Sequence, residues 1–257
     1  MQRSQRPLLL AIDRCATLLD VREHAARALA EGYEGIEWVL PNHVPDTDAD
    51  LRSLPDPGVL CVRALAVNWE TPDVDAAVRS LTSRLRLAAA LGANVLNVGI
   101  PPLARDSRPG CFTSYQHCLN FAYELLQRTR WPAESAGVAV ALEAPADGCL
   151  LSPVELRDLI DMANSWAVGA CIVVARIEPI GSAGDWMETL AHHTHAVRIP
   201  QGNLRKGSSD VGTVPVWLRR VPQDRPMIVE TMRLADRITP PNSVPEARLA
   251  GRPPLAG

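Results

Sequence analysis

The sequence has no excess of positive charge: 26 Lys and Arg stand against 29 Asp and Glu, a formal net charge of −3. A protein that grips nucleic acid needs a basic field to displace counterions from the phosphate backbone, so nucleic acid is excluded as a partner. Long apolar runs are also missing. The first run, Leu8 to Ile12, follows a polar and basic start and is too short for a signal core or a membrane span, which predicts a soluble, unexported protein with no membrane partner. The six cysteines, Cys15, Cys61, Cys111, Cys118, Cys149 and Cys171, contain no CxxC pair. They are expected to be reduced, mostly packed thiols in a cytoplasmic protein. No P-loop, no glycine-rich dinucleotide fingerprint and no GxSxG occurs, which argues against nucleotide cofactors and a serine nucleophile elbow.

What is present is enough apolar sequence for a sizeable core: 47% of the 257 residues are hydrophobic and 21% charged. The stretch Gly137-Val138-Ala139-Val140-Ala141-Leu142-Glu143-Ala144-Pro145 organises the rest. A strand period of two puts Ala139, Ala141 and Glu143 on one side and Val138, Val140 and Leu142 on the other. A strand buried on both faces with an acid at its carboxyl end is how a parallel α/β barrel builds its mouth.

Around it the pattern alternates strand and helix eight times. Strands are expected at residues 8–12, 35–38, 62–67, 94–98, 137–143, 168–174, 195–199 and 226–230, with helices at 20–31, 73–91, 113–130 (capped by Thr113), 152–164, 185–193 and 214–220. The Pro- and Asp-rich segment 41–58 is a long mouth loop or a reduced second helix. No repeat or linker divides the chain, so residues 1–247 form one (β/α)8 TIM barrel with a short or irregular last helix, and 248–257 a mobile Pro-rich tail.

Parity places Glu143 and Glu230 at inward strand ends, and Ala196 with Arg198 on the inward side of strand seven. Glu37 is inward on strand two, as pocket wall or surface acid. Asn68 and Trp69 end strand three and Asn97 lies on strand four; these line the pocket or serve turn chemistry. Cys171 fills the barrel. His192, His193 and His195 belong to the amino-terminal face, opposite the mouth, in a solvated or structural role. His43 lies in the loop after strand two, near the mouth.

The phrases Gly32-Tyr33-Glu34-Gly35-Ile36-Glu37, Leu91-Gly92-Ala93, Gly137 to Glu143 and Val168-Gly169-Ala170-Cys171 resemble those of the xylose isomerase-like barrels, the sugar phosphate isomerase/epimerase superfamily, over residues 8 to 232. The resemblance implies a divalent metal (Mn, Co, Zn or Mg) held by Glu, Asp, His and Glu at the ends of strands five to eight. Glu143 and Glu230 match the first and last. Val173 stands in the Asp position, Arg198 in the His position, and Arg176 where a His usually follows strand six. Neither a hydrocarbon nor a permanent guanidinium binds a metal.

The expectation is therefore a metal-free mouth in which Arg198 sits between Glu143 and Glu230, with Arg176 and Arg198 gripping substrate and the two acids catalytic. Carboxylates bridged by arginine are expected to be strengthened as acids and weakened as bases. The implied activity is proton transfer on a small polyol or keto-sugar, phosphorylated or not. The alternative is a non-catalytic, ligand-binding or scaffold barrel that has lost its metal site. A homo-oligomer is compatible with either.

Overall fold

The computed structural model describes residues 7–12, 18–40, 62–68, 73–103, 111–112, 114–146, 149–177, 179–200 and 216–230. Eight parallel strands close into a barrel in chain order, with the last hydrogen-bonded to the first. They are β1 (Leu8–Ile12), β2 (Gly35–Val39), β3 (Val62–Asn68), β4 (Val95–Gly99), β5 (Ala139–Ala144), β6 (Val168–Val173), β7 (Thr194–Pro200) and β8 (Met227–Glu230). The described helices are α1 (Leu18–Ala30), α2 (Val74–Ala90), α3 (Tyr115–Ala136), α4 (Pro153–Ala163), α5 (Val174–Ile177) and α6 (Ala183–Leu190), with 3-10 turns at Ala191–His193 and Val216–Arg220. The chain is a (β/α)8 TIM barrel. The 41–58 segment, His43, the residues expected to form a short last helix and the Pro-rich tail lie outside the described residues.

Local chemistry accounts for most boundaries. Asp73 caps α2 by accepting from the Ala76 amide at 3.0 Å, as its carboxylate and the orphan first-turn amides require. The third predicted helix needs correction. Ser114 Oγ, not Thr113, caps it by accepting from the His117 amide at 3.2 Å, and the helix runs through Pro132 to Ala136, where Gly137 at φ 67° supplies the left-handed stop. Ser152 stands at the N-cap of α4 without a side-chain bond, leaving Pro153 in the first turn to fix the start.

A second correction concerns the thiols. Cys118 on α3 and Cys149, after β5, are joined as a disulfide, while Cys111 and Cys171 are free; Cys15 and Cys61 lie outside the described residues. The pairing spans 31 residues and ties the segment that follows Glu143 to the neighbouring helix.

Two packed layers meet at the sheet. Outside the strands, Leu65, Leu81, Leu85, Leu96, Leu125, Leu126 and Leu142 are fully buried against the helices. Inside the barrel the filling is smaller, with Ala11, Ala64, Ala66, Ala141 and Ala196 among Leu9, Val39, Val95, Cys171 and Ile228. Bulky branched residues usually fill such an interior; here alanine leaves volume for long polar side chains.

At the amino-terminal end, His192 and His193 occupy a 3-10 turn, but His195 lies within β7 and is 5% exposed. Burial lowers its pKa from 6.5 to about 4, with the Arg225 charge adding to the effect, so the ring is neutral and structural. It fits because residue 169 has no side chain. A Cβ at Gly169 would lie 2.2 Å from His195 Cδ2 and 2.3 Å from the His193 carbonyl oxygen, and the backbone atom cannot swing aside. Gly169→Ala is therefore expected to cost about 3 kcal/mol, read as a lower urea midpoint at unchanged slope; wild-type stability in this variant would refute the close packing.

Candidate functional site

Parity along five strands brings five polar side chains to one place. Glu37 alternates with Ile36 and Trp38 on β2, Asn97 with Leu96 and Val98 on β4, Glu143 with Leu142 on β5, Arg198 with Val197 and Ile199 on β7, and Glu230 with Val229 on β8. The alternating partners belong to the helix-facing core, whereas Val39, Val95, Ala141, Ala196 and Ile228, on the parity of the polar five, form the barrel interior. Closure of the sheet then makes strands distant in sequence face one another.

Arg198 lies at the centre, 3% exposed. Its Nη2 donates to Glu37 Oε1 at 2.6 Å, its Nη1 stands 2.8 Å from Glu143 Oε1, and its Nε stands 3.6 Å from Glu230 Oε1. Asn97 Nδ2 donates to the same Glu37 oxygen at 2.6 Å. The predicted pair of acids around Arg198 is thus a set of three. Glu37 is fully buried and holds the shortest contact with the arginine.

Arg176 stands in α5, directly after β6, with its side chain half-buried. Its Nη1 donates to the Pro145 carbonyl at 3.3 Å and approaches Glu143 Oε2 at 3.9 Å. Val173 is buried and in register with Arg198. Asn68 is the last residue of β3, and Trp69 lies outside the described residues. Cys171, in register with Glu143, has its thiol pushed well above the usual range by burial; it is filling, as expected, and no nucleophile. A separate cavity of about 380 Å³, lined by Val74, Cys111, Phe112, His117, Phe121 and Glu124 among others, lies in the helix layer and includes none of the five polar residues.

The expectation about acidity is overturned. Burial raises the pKa of Glu230 from 4.5 to about 7, outweighing the lowering by Arg198, and the Glu143 and Glu37 charges push it further up. Burial likewise raises Glu37 despite its contacts with Arg198 and Asn97. Burial opposes the charge on Arg198, but Glu143 and Glu37 more than reverse this and hold it well above its ordinary value. One guanidinium shared by three desolvated acids neutralises them incompletely, so the most loosely paired acid retains a proton near neutrality.

A divalent metal does not fit this donor set. The guanidinium occupies the space between the carboxylates that a shared ion would need, and Val173 offers only carbon. Among the described residues no group of three or more His, Cys, Asp or Glu side chains is arranged to hold one.

No protein-family model matches the chain, and no curated protein matches it. Solved structures do. A D-psicose 3-epimerase from Clostridium cellulolyticum H10 is 14% identical with a TM-score of 0.67, covering 86% of this chain and 84% of that one. A 3-keto-D-glucoside 4-epimerase from E. coli is 12% identical with a TM-score of 0.65, covering 88% and 91%. A xylose isomerase domain protein from Planctomyces limnophilus is 15% identical with a TM-score of 0.58, covering 88% of each. The shared property is the fold, a closed barrel of eight parallel strands.

His195 and Glu230 tilt stability in opposite directions. His195, lowered from 6.5 to about 4, makes the unfolded chain bind more protons in that window, so its contribution is complete above pH 6.5 and lost as pH falls to 4. Glu230, raised from 4.5 to about 7, makes the folded chain bind more, so its contribution is complete below pH 4.5 and lost as pH rises to 7. Each spans on the order of 3 kcal/mol, and between pH 4.5 and 6.5 their slopes oppose each other, with Glu37, also raised by burial, adding to that of Glu230. Urea unfolding across this range should show His195→Gln losing, and Glu230→Gln gaining, stability relative to the natural chain as pH rises; profiles parallel to the natural chain's for both variants would contradict the assignment.

Proposed function

We propose that the protein transfers a proton on a small polyol or keto-sugar at the mouth of the barrel, without a divalent metal. The observation that carries this reading is the convergence of Glu37, Glu143 and Glu230 on Arg198 at the carboxyl ends of the strands, the end where this fold performs chemistry. Proton removal beside a carbonyl needs a base of moderate strength and a positive group where oxygen charge develops. Glu230 serves as the proton carrier, and its position near neutrality suits the task because it can both accept and return a proton at ordinary pH. Glu143 completes the acid–base pair from strand five. Arg198 and Arg176 supply positive charge to the substrate oxygens, with Glu37 and Asn97 fixing the orientation of Arg198. The reactions named for two of the structural neighbours, a ketose 3-epimerase and a ketoglucoside 4-epimerase, are of the same proton-moving class and support the reading.

A second reading is a barrel that binds a sugar without converting it. It draws on the same arginine, whose donors are directed to protein carboxylates and which is 3% exposed.

Incubation of the protein with a panel of ketoses and inososes in D2O, with a chelator present, separates the two. The proton-transfer reading expects deuterium at carbon in at least one sugar, with the rate falling about 100-fold or more in Glu230→Gln; sugar binding without exchange leaves the binding barrel. The metal-free assignment has its own test. Val173→Asp combined with Arg198→His is expected to create Mn²⁺ affinity measurable by calorimetry where the natural chain has none, and stoichiometric Mn²⁺ on the natural chain would overturn it.

A further inference from the structure

The charges and acceptors around Arg198 do not balance, and the imbalance specifies a ligand. Three carboxylates converge there, against the guanidinium of Arg198 and that of Arg176 at 3.9 Å from Glu143; three acids less two cations leave one negative charge when all are ionised. Hydrogen bonding is uneven in the same sense. Glu37 Oε2 and Asn97 Oδ1 are buried with no hydrogen-bond partner, and Glu230 Oε1 has the 3.6 Å approach of Arg198 Nε, too long for a hydrogen bond. The Asn97 carbonyl is an observation independent of the acids. Its amide group is already directed to Glu37, so what that fully buried side chain presents to a newcomer is an acceptor. Arg198 directs its two Nη groups to Glu37 and Glu143; its Nε and that of Arg176 are buried without a hydrogen-bond partner, so two donors stand against four acceptors without a hydrogen bond, Glu37 Oε2, Asn97 Oδ1, Glu143 Oε1 and Glu230 Oε1.

A ligand entering such a site must bring more hydrogens than lone pairs, and positive charge rather than negative. An ammonium group brings three donors, no acceptor and one positive charge. A phosphate brings acceptors only and meets carboxylates whose counter-cation is already engaged. From this we infer that the mouth selects an amino polyol or amino sugar over the neutral polyol, and excludes phosphorylated sugars. The inference rests on the reading of the mouth as the ligand site and adds the charge class of the ligand. Glu143 and Glu230, at the ends of β5 and β8 and each 2% exposed, receive the ammonium, and Glu37 contributes through the negative charge it adds beneath them.

The test is a matched series that differs at one carbon: 1-amino-1-deoxy-D-glucitol, D-glucitol and D-glucitol 6-phosphate, titrated calorimetrically into the intact chain at pH 8. The amine is expected to bind about tenfold more tightly than the neutral polyol, the factor one charge-assisted hydrogen bond supplies, with the phosphate weakest. In Glu230→Gln the advantage of the amine should shrink toward the neutral polyol. In Asp158→Asn, which removes an exposed acid paired with Arg157, it should be unchanged; this control separates the mouth from the general negative charge of the protein. Equal affinity for amine and neutral polyol, a preference for the phosphate, binding of none of the three, or an amine preference that survives Glu230→Gln overturns the inference. The outcome is distinct from that of the exchange experiment: an amine preference without deuterium exchange refutes proton transfer and keeps the charge class, while exchange with the opposite order of affinities does the reverse.

Discussion

A guanidinium 3% exposed inside a closed sheet is the constraint on which the rest of this structure turns. Moving such a charge out of water costs several kcal/mol after relaxation, and each carboxylate beside it adds a comparable penalty. The group is tolerable only because Glu37, Glu143 and Glu230 surround it, and they are tolerable only because it is there. The requirement propagates downward. A long arginine and three glutamates need volume, and the barrel interior supplies it by using alanine at Ala11, Ala64, Ala66, Ala141 and Ala196. The packing energy thereby given up inside the barrel is recovered outside it, where leucines from strands and helices form the larger buried layer.

The two ends of the barrel divide the work. At the amino-terminal end, the missing side chain of Gly169 lets His195 and the His193 carbonyl approach the sheet, and the buried ring is held neutral. At the carboxyl end the buried groups are charged and incompletely paired, with more acceptors than donors left without a partner. One set of strands carries both: a neutral ring at one end and, at the other, three acids around a guanidinium. That asymmetry of charge supports the reading of the mouth as the functional end.

Much of this was legible in the chain. A period of two on short strands is enough to assign Glu143, Glu230 and Arg198 to the inward side, because side-chain alternation is a local property. The role of Glu37 was not legible. Its parity was readable, but whether an inward acid meets a cation depends on which strands face each other across the closed sheet, and β2 and β7 are 161 residues apart at the point of contact. The Cys118–Cys149 link escaped for a related reason, since cysteine spacing carries no signal when the two positions lie on a helix and a loop brought together by the barrel. Thr113 and Ser114 are both competent caps, so only the backbone geometry distinguishes them. The acidity of Glu230 was misjudged because the sequence displays the partner charge and hides the burial, and here burial is the larger effect.

An arginine and a divalent metal act differently on the acids around them. A divalent ion carries two charges, favours the ionised form of the carboxylates around it and polarises substrate oxygens itself. A guanidinium carries one charge, spread over a rigid fork with a fixed number of donors. Among three acids it pairs closely with two, Glu37 at 2.6 Å and Glu143 at 2.8 Å, and leaves the third at 3.6 Å. The least satisfied acid is then the one whose proton is exchangeable near neutral pH. The guanidinium that fills the space between the acids thus leaves one titrating carboxyl there. Glu230, a position that the family resemblance assigns to a metal ligand, is in this arrangement the acid on which the proposed proton transfer rests.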